Sequence, residues 1–418
     1  MLESLHVRPD ICVRLRSGPL GSWVDPFVDA LAQAGYTAGM RRRYVHAAGV
    51  FSTWLSRHRI AVADVDEHVV ARFVSGRSRW HPPSRPRGRL NELVTGVRGF
   101  ATFLWAQGVA NRQSRVARET DIDRWIGAFI THLTRVRGAA SGTRRIYERY
   151  ARGLLQACWP DARVDWSAVT AERVASFVRT QVDTLSRTSS RAPVTAVRSF
   201  VRFLVSSGVV RVGLEGAVPT VRQWKFGTLP RALTTADVQR ILQTVEATTP
   251  DGARDYAILL LLSRLGLRAG EVAALCVRDI DWREGSVQIR PGKTGRERRL
   301  PLPHDVGVAL VRTLKTRHTG ASREAVFLRA RPPYRPLTAA AITSVAQRAL
   351  RRADVTIVRP GAHSFRHTVA SQLVQHGVSL KAVADVLGHA ELDTTAIYAK
   401  LDVATLLTVA LPWPGSAQ

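Results

Sequence analysis

The chain has 418 residues, which is long for one ordinary domain and predicts two or three. Its 61 lysines and arginines against 33 aspartates and glutamates give a formal net charge of +28, and this excess indicates a nucleic-acid partner. No run of about 18 apolar residues occurs, and the N-terminus lacks the apolar stretch of a signal peptide. We therefore expect a cytoplasmic protein with no membrane partner.

The first 20 residues show no clear period and are predicted to be an N-terminal arm. After them, apolar residues recur at three- and four-residue steps, as in helices that bury one face. A longer pattern then repeats at an offset of about one hundred residues, since VRGFATFLWAQGV at 97–109 matches VRSFVRFLVSSGV at 197–209. Self-similarity at a fixed offset is typical of a duplicated structural unit.

This repeat predicts two copies of one all-helical module, residues 21–112 and residues 120–212, with about four helices each. Gly108 and Gly208 follow the last helix of each copy and are expected to end it. Aromatic side chains recur at helical spacing in both copies, and we interpret them as core residues and not as a surface for stacking bases. They are Phe73, Phe100, Phe103, Phe177, Phe200 and Phe203.

A linker, residues 213–230, leads to a C-terminal domain, residues 231–411, and to a tail, residues 412–418. Within this domain the nearly all-apolar stretch ARDYAILLLLSRLG predicts a central, buried helix. Two extended runs, SVQIR and ERRLPL, flank the turn PGKTGR and predict a β-hairpin with Lys293 at its tip. The predicted fold is mainly α: two helical modules, then a mostly helical α+β domain with a small hairpin.

Four side chains near the C-terminus suit an attack on a phosphodiester: His363, Arg366, His389 and Tyr398. The phenol would be the nucleophile, and the basic groups would hold the negative charge of the phosphate. His363 and Arg366 are three residues apart on a predicted helix, so both can face one ligand. Taken alone, Tyr398 would be read as a partly buried tyrosine, and Lys293 as a basic turn that faces solvent or a DNA backbone.

Together these pieces have the order and spacing of the tyrosine recombinases, also called the phage integrase family, whose catalytic domain the stretch 229–411 resembles. The matching pieces are Gly266-Leu267-Arg268 with Glu271, Lys293 in a hairpin turn, His363-Ser364-Phe365-Arg366, Leu387-Gly388-His389, and Thr394-Thr395-Ala396-Ile397-Tyr398. The second helical module resembles the family's SAM-like core-binding domain, which closes around DNA with the catalytic domain. The first module is additional to the single one of simple bacterial members, and would bind DNA or contact neighbouring subunits.

The resemblance implies a catalytic role for each matching side chain. Tyr398 would attack the scissile phosphate and form a 3′-phosphotyrosine with a free 5′-hydroxyl. A free tyrosine has a pKa of about 10, so it needs cations and a base to react at neutral pH. Arg268 and Arg366 would bind the non-bridging oxygens, on which charge gathers in the transition state.

Three further residues complete the set that the resemblance implies. His389 would donate a hydrogen bond to the same phosphate, and His363 would assist proton transfer at the tyrosine, although the general base is left open among these groups. Lys293 would protonate the departing 5′-oxygen, because an alkoxide is a poor leaving group. Glu271 also matches a family position and is expected to hold the Arg268 loop and not to take part in the chemistry.

No cofactor or metal is expected. His363 and His367 are four residues apart, but no HExxH glutamate accompanies them. The three cysteines, Cys12, Cys158 and Cys276, are scattered without a CxxC pair and indicate reduced structural thiols. No GxxxxGK[ST] motif occurs, so ATP is not expected either.

The leading hypothesis is therefore a site-specific recombinase that acts on double-stranded DNA sites, serving integration or transposition of a mobile element. It would act as a tetramer, either of identical chains or together with sister recombinases, on the nucleoid. Two alternatives remain: a nicking-closing enzyme like type IB topoisomerases, and a non-catalytic DNA-binding partner of a sister recombinase. All six expected active-site positions are filled, which argues against the second alternative.

Overall fold

A computed structural model describes residues 2–5, 9–79, 87–112, 120–161, 163–185, 189–220, 232–290, 297–317, 324–357 and 360–388. The chain divides into two compact units. One unit is residues 116–227, and the other combines residues 1–115 with residues 228–418. Within the second of these units, the hydrophobic cores of the two segments form separate clusters.

The first module has the four predicted helices, preceded by one that the sequence pattern did not predict. The helices are α1 Pro9–Arg16, α2 Gly21–Gln33, α3 Ala38–Arg57, α4 Glu67–Arg79 and α5 Arg87–Ala106. Helix α1 corrects the expectation of an arm without regular structure, because Cys12 and Leu15 are buried against α2 and α3. Its apolar residues are too few to show a period, and only packing on Val24 and Val45 makes the helix stable.

The unit of residues 116–227 contains the second module. Its helices are α6 Asp121–Arg135, α7 Ser141–Cys158, α8 Ala171–Asp183 and α9 Arg191–Ser206. Thr120 and Asp123 form a capping box at the start of α6, which satisfies backbone donors that a helix leaves open at its N-terminus. These helices enclose one hydrophobic core, whose buried residues run in sequence from Ile122 to Val218.

Aromatic packing confirms the duplication of the module. In the first copy the ring centroids of Phe27 and Phe100 are 4.7 Å apart, edge to face, and those of Phe27 and Phe103 are 5.4 Å apart. In the second copy the equivalent pairs are Phe129–Phe200 at 4.9 Å and Phe129–Phe203 at 5.5 Å. The core prediction is confirmed for Phe73, Phe100, Phe200 and Phe203, which are buried, whereas Phe103 and Phe177 are partly buried and pack against the two cores.

The C-terminal domain surrounds the buried helix that the sequence predicts. Its elements are α10 Thr235–Gln243, α11 Pro250–Leu265, α12 Ala269–Ala274, β1 Ile280–Asp281, β2 Ser286–Ile289, β3 Arg298–Pro301, α13 His304–Lys315, α14 Ala339–Arg352, α15 Ala362–Gln375 and α16 Leu380–Leu387. Helix α11 is buried on nearly all sides, and α13, α14 and α15 pack on it. It therefore supplies the middle of the domain core.

The hairpin is confirmed and belongs to a small antiparallel sheet in the order β1-β2-β3. Val287 pairs with both Ile280 and Leu300, and Ile289 pairs with Arg298. Strand β1 has two residues, too short to give a sequence signal. The turn PGKTGR, which contains Lys293, lies outside the described residues.

Several absences hold for the described part of the chain. No helix there is long and apolar enough to cross a membrane. Within the same residues, no group of three or more His, Cys, Asp and Glu side chains is arranged to hold a metal ion. All three cysteines are free thiols.

Gly266 and Gly285 are among the glycines of the C-terminal domain that have left-handed backbone, and their surroundings differ. Gly266 ends α11 with φ of 60°, and an added Cβ would lie 2.9 Å from Leu387 Cδ2 and 3.3 Å from Val369. Gly285, in the turn before β2, has φ of 57° and nothing within 4 Å of an added Cβ. Both positions therefore require left-handed backbone, but only Gly266 lacks space for a side chain.

We expect Gly285→Ala to cost about 1–2 kcal/mol, the usual penalty of left-handed backbone for a residue with a Cβ. Gly266→Ala is expected to cost about 1–3 kcal/mol more, because the extra methyl overpacks the core. Calorimetric unfolding of both variants beside the parent protein measures the difference. Equal destabilisation of the two variants would show that the contact between Gly266 and α16 is loose.

Candidate functional site

The loop between α11 and α12 places the backbone of Arg268. The chain leaves α11 at Gly266, buries Leu267 completely, and begins α12 with Arg268 as its N-cap residue. The backbone N–H of Arg268 donates to Glu271 Oε2 at 2.9 Å, and its side-chain Nη1 donates to Glu271 Oε1 at 2.9 Å. The expectation that Glu271 holds this loop is therefore confirmed.

Glu271 is held on its other side by Arg298, the first residue of β3. Arg298 Nη1 donates to Glu271 Oε1 at 3.1 Å, and Arg298 Nη2 donates to Oε2 at 2.9 Å. Burial opposes ionisation of Glu271, but hydrogen bonds from Arg298 and from the Arg268 backbone outweigh it and hold the pKa of this carboxyl below its ordinary value. Glu271 is therefore an ion pair partner at neutral pH and not an available proton carrier.

Arg366 is the most deeply buried cation of the site, with 2% of its surface exposed. It lies on α15, and its Nη1 donates to the carbonyl oxygen of Gly266 at 2.8 Å. Its Nη2 donates to the carbonyl oxygen of Leu387. These acceptors are at the carboxyl ends of α11 and α16, where helix dipoles place partial negative charge that offsets the cost of burying a guanidinium.

The carboxyl end of α16 gathers all three arginines. Arg298 Nε donates to the carbonyl of Val386 at 2.8 Å, and Arg268 Nη2 donates to that of Gly388 at 3.0 Å. Arg268 Nη1 also lies 3.5 Å from the Leu387 carbonyl to which Arg366 donates, so the two predicted phosphate-binding arginines are neighbours. Helix ends leave such carbonyls without intrahelical donors, and here side chains supply them.

Helix α16 begins and ends where its own sequence supplies the signals, because Ser379 predicts a cap at the start and Gly388 predicts a stop at the end. Ser379 Oγ accepts from the backbone N–H of Ala382 at 3.3 Å, and Gly388 ends the helix with φ of 65°. The residue after Gly388 is His389, which lies outside the described residues together with Tyr398 and Lys293. The roles implied for these three residues therefore stay predictions.

His363 lies in the first turn of α15 and is exposed, whereas Arg366 one turn later is buried. The sequence predicts that both face one ligand. The rings of His363 and His367 are in contact, with centroids 4.3 Å apart in an edge-to-face arrangement. The four-residue spacing of the two histidines therefore places their rings against each other on α15.

Sequence reasoning did not single out Arg298. A signal for it was present: in strand β3, alternate residues face the same side, so Arg298 shares a face with Leu300, which is buried. An arginine on the inward face of a strand needs a buried acceptor. Glu271 is that acceptor, but its distance of 27 positions along the chain gave no means of pairing the two residues.

The described site is an electropositive cluster. Three guanidinium groups and one carboxylate meet at the end of α16, so cations outnumber the acid in these contacts. The side chain of Arg268 is 32% exposed, whereas those of Glu271 and Arg298 are 5% and 8% exposed. The cluster can therefore present a guanidinium to an anion such as a phosphodiester, with Arg366 behind it.

Two family models match the chain. Residues 231–404 match the phage integrase family, and residues 126–208 match the phage integrase N-terminal SAM-like domain. The second match falls on α6 to α9, so the likeness of this module to the core-binding domain is confirmed.

Relatives extend over the whole chain. The integrase/recombinase y4rA of Sinorhizobium fredii is 35% identical over 96% of this chain and 96% of its own length. A second protein of that organism, y4rF, is 31% identical over 100% of this chain and 97% of its own length. The tyrosine recombinase XerC of Thermodesulfovibrio yellowstonii is 28% identical over 69% of this chain and 96% of its own length.

Solved structures share the fold. XerH recombinase, bound to a palindromic difH substrate, has a TM-score of 0.54 at 17% identity over 82% of this chain and 95% of its own. A lambda integrase fragment bound as a dimer to a core site has a TM-score of 0.52 at 18% identity, over 66% of this chain and 94% of its own. Neither the topoisomerase-like nor the non-catalytic alternative is favoured by these likenesses. With the full-length likeness to y4rA and the two matching family models, the chain belongs to the phage integrase family, the tyrosine recombinases, and is a site-specific DNA recombinase.

Proposed function

We propose that this recombinase cleaves and rejoins DNA through Tyr398, with Arg268 and Arg366 holding the scissile phosphate. The observation that carries the assignment is the meeting of these two arginines at the Leu387 carbonyl, two residues before His389. Their positions in the sequence do not require that meeting, because Arg366 lies far from Arg268 along the chain. The Gly266 carbonyl to which Arg366 donates is one hundred positions earlier. A shared position suits two donors that act on one phosphate.

In this mechanism the Tyr398 oxygen attacks phosphorus, and the bond from phosphorus to the 5′-oxygen breaks. Lys293 gives its proton to the departing 5′-oxygen, and the phosphate stays on Tyr398 as a 3′-phosphotyrosine. His389 donates a hydrogen bond to the phosphate, while His363 assists removal of the phenol proton. Rejoining reverses these steps with a 5′-hydroxyl of another strand, so no external energy source is needed.

The two arginines differ in what else they do. Arg366 is buried between two helix ends and holds them together, and it would also bind the phosphate. Arg268 is more exposed, with Glu271 behind it. We assign the stabilisation of transition-state charge to both, and structural stabilisation chiefly to Arg366.

The C-terminal domain and the second module would together enclose DNA, as the catalytic and core-binding domains of the family do. We further propose a tetramer on two DNA sites. A lambda integrase tetramer bound to a Holliday junction shares the fold, with a TM-score of 0.53 at 18% identity over 73% of this chain and 86% of its own. The first module, residues 21–112, would contact DNA outside this clamp or a neighbouring subunit.

The biological role that we propose is integration or transposition of a mobile element. The relatives that extend over both helical modules are named integrase/recombinase, whereas XerC matches 69% of the chain. A transposon Tn1549 integrase, in complex with a circular intermediate DNA, also shares the fold, with a TM-score of 0.50 and 18% identity. Two relatives with that name, y4rA and y4rF, thus extend over both modules, whereas y4gC of the same organism matches 40% of this chain over 87% of its own length.

Tyr398→Phe is expected to abolish the covalent adduct with a nicked suicide DNA substrate, because phenylalanine has no oxygen to attack phosphorus. DNA binding in a gel-shift assay should be unchanged. Tyr256→Phe, at a tyrosine packed against the domain core, is the matched control and should form the adduct at the normal rate. An adduct that persists in Tyr398→Phe would assign the nucleophile to another residue.

Arg268→Ala is expected to slow cleavage by a factor on the order of 10²–10³, the usual effect of losing one transition-state donor, with little change in stability. Arg366→Ala should lose activity and also about 1–3 kcal/mol of stability, because the Gly266 and Leu387 carbonyls lose a buried donor. Single-turnover cleavage and thermal unfolding measure the two effects.

Arg264→Ala serves as the control for both variants. Arg264 lies in the last turn of α11, half exposed, and pairs with Asp305 at the surface at 3.0 Å. Its loss should leave cleavage and stability nearly unchanged. An Arg268→Ala variant as active as this control would remove Arg268 from the proposed site.

Lys293→Ala is expected to cleave ordinary DNA slowly and to recover with a substrate that carries sulfur in place of the scissile 5′-oxygen. A thiolate leaves without protonation, so the general acid is no longer needed. The rate of adduct formation on the two substrates gives the comparison. Failure of the sulfur substrate to restore the rate would mean that Lys293 contacts DNA and does not transfer the proton.

A further inference from the structure

Glu271 is shared unequally between two arginines. Arg298 meets both carboxylate oxygens with two nitrogens, whereas Arg268 meets only Oε1 with one side-chain nitrogen. A paired, two-point contact of guanidinium with carboxylate is the strongest geometry available to these groups. Both partners of that pair are nearly inaccessible to solvent, while Arg268 is about one-third exposed.

One carboxylate compensates one guanidinium. Since Arg298 makes the two-point contact, Arg268 keeps most of its charge for another anion. If Arg298 were neutral, the buried carboxylate would have Arg268 as its remaining cation in this group. Attraction between opposite charges is strong at low exposure, so Arg268 would then be drawn onto Glu271 and its charge would be compensated.

A second set of contacts ties Arg298 to the end of α16. Its Nε donates to the Val386 carbonyl at 2.8 Å. Its guanidinium carbon lies 3.0 Å from the position that a Cβ on Gly388 would occupy. A Cβ there would displace the guanidinium, so Arg298 lies directly against the backbone that precedes His389.

We propose that Arg298 is a positioning residue of the recombination reaction, which compensates Glu271 and so leaves the charge of Arg268 available to the scissile phosphate. The inference rests on the proposed role of Arg268. It assigns Arg298 no contact with DNA. The competing explanation is a purely structural one, in which Arg298 only joins β3 to α16.

The two explanations differ in what Glu271 does once Arg298 is gone. If Arg298 acts by compensation, the Glu271 carboxylate neutralises Arg268 once Arg298 is replaced and cleavage slows. Removing the charge of Glu271 then restores the rate. With a structural role alone, the cleavage rate of each variant follows its thermal stability, so the double variant cleaves faster than Arg298→Gln only if it is also more stable. A double-mutant cycle on Arg298→Gln and Glu271→Gln therefore separates them.

The experiment measures single-turnover cleavage of a nicked suicide substrate at saturating DNA, with gel-shift affinity and thermal unfolding for each variant. We expect Arg298→Gln to slow cleavage by about tenfold or more while DNA affinity changes little, since Arg298 touches no DNA. The double variant should recover about tenfold relative to Arg298→Gln, a coupling within the usual range for contacting residues. A double variant as slow as Arg298→Gln, or slower, overturns the proposal.

A conservative variant and a control on the same strand narrow the result. Arg298→Lys retains the cation and should cleave faster than Arg298→Gln; equal rates would overturn the proposal. Arg299→Gln lies on the opposite, exposed face of β3, where Arg299 pairs with Asp281 at 3.1 Å, and should cleave like the parent protein. Slow cleavage by Arg299→Gln would mean that charge on either face of β3 matters, against a specific role for Arg298.

The proposal can still be tested if the Arg298→Gln variant unfolds. If Arg298→Gln loses its fold because a buried carboxylate is left unpaired, the double variant contains neither buried charge and carries the measurement alone. It should then cleave within about tenfold of the parent protein, and a slower rate with normal folding and binding overturns the proposal. Absence of a Tyr398-dependent adduct in the parent protein would instead contradict the proposed function itself.

Discussion

The carboxyl end of α16 is the point on which the site depends. Three successive carbonyls, from Val386 to Gly388, accept hydrogen bonds from Arg298, Arg366 and Arg268. A helix end lacks intrahelical donors for its last carbonyls and carries partial negative charge, so guanidinium groups bind there favourably. The same contacts bring together side chains from three distant parts of the chain, and they do so immediately before His389.

Such a cluster of cations needs compensation, and the structure supplies it by two routes. Arg366 lies between the carboxyl ends of α11 and α16, whose partial negative charge offsets the cost of its burial. Glu271 compensates part of the charge of the other two arginines. Cations outnumber the carboxylate in these contacts, which suits an anionic ligand such as a phosphodiester.

The helical modules, in contrast, have cores that are stabilised by apolar packing. Each buries a cluster of aromatic rings, with nearly the same ring distances in the two copies, and this core needs no charged residue. The excess of arginine is therefore free to lie on surfaces and loops, where it can contact a phosphate backbone. Duplication doubles the surface available for DNA or for neighbouring subunits without a change in the catalytic domain.

Local physics was enough to determine much of this protein from sequence. Helical periodicity predicted the modules, Ser379 and Gly388 predicted the ends of α16, and a Pro/Gly-rich turn between extended runs predicted the hairpin, because each of these signals acts within a few residues. Motif spacing likewise indicated Arg268 and Arg366. Tertiary structure alone decided that Arg298 pairs with Glu271, that Arg366 is buried between two helix ends, and that residues before Trp23 form a helix. These outcomes depend on partners up to one hundred positions away and on packing free energy, which no short stretch of sequence contains.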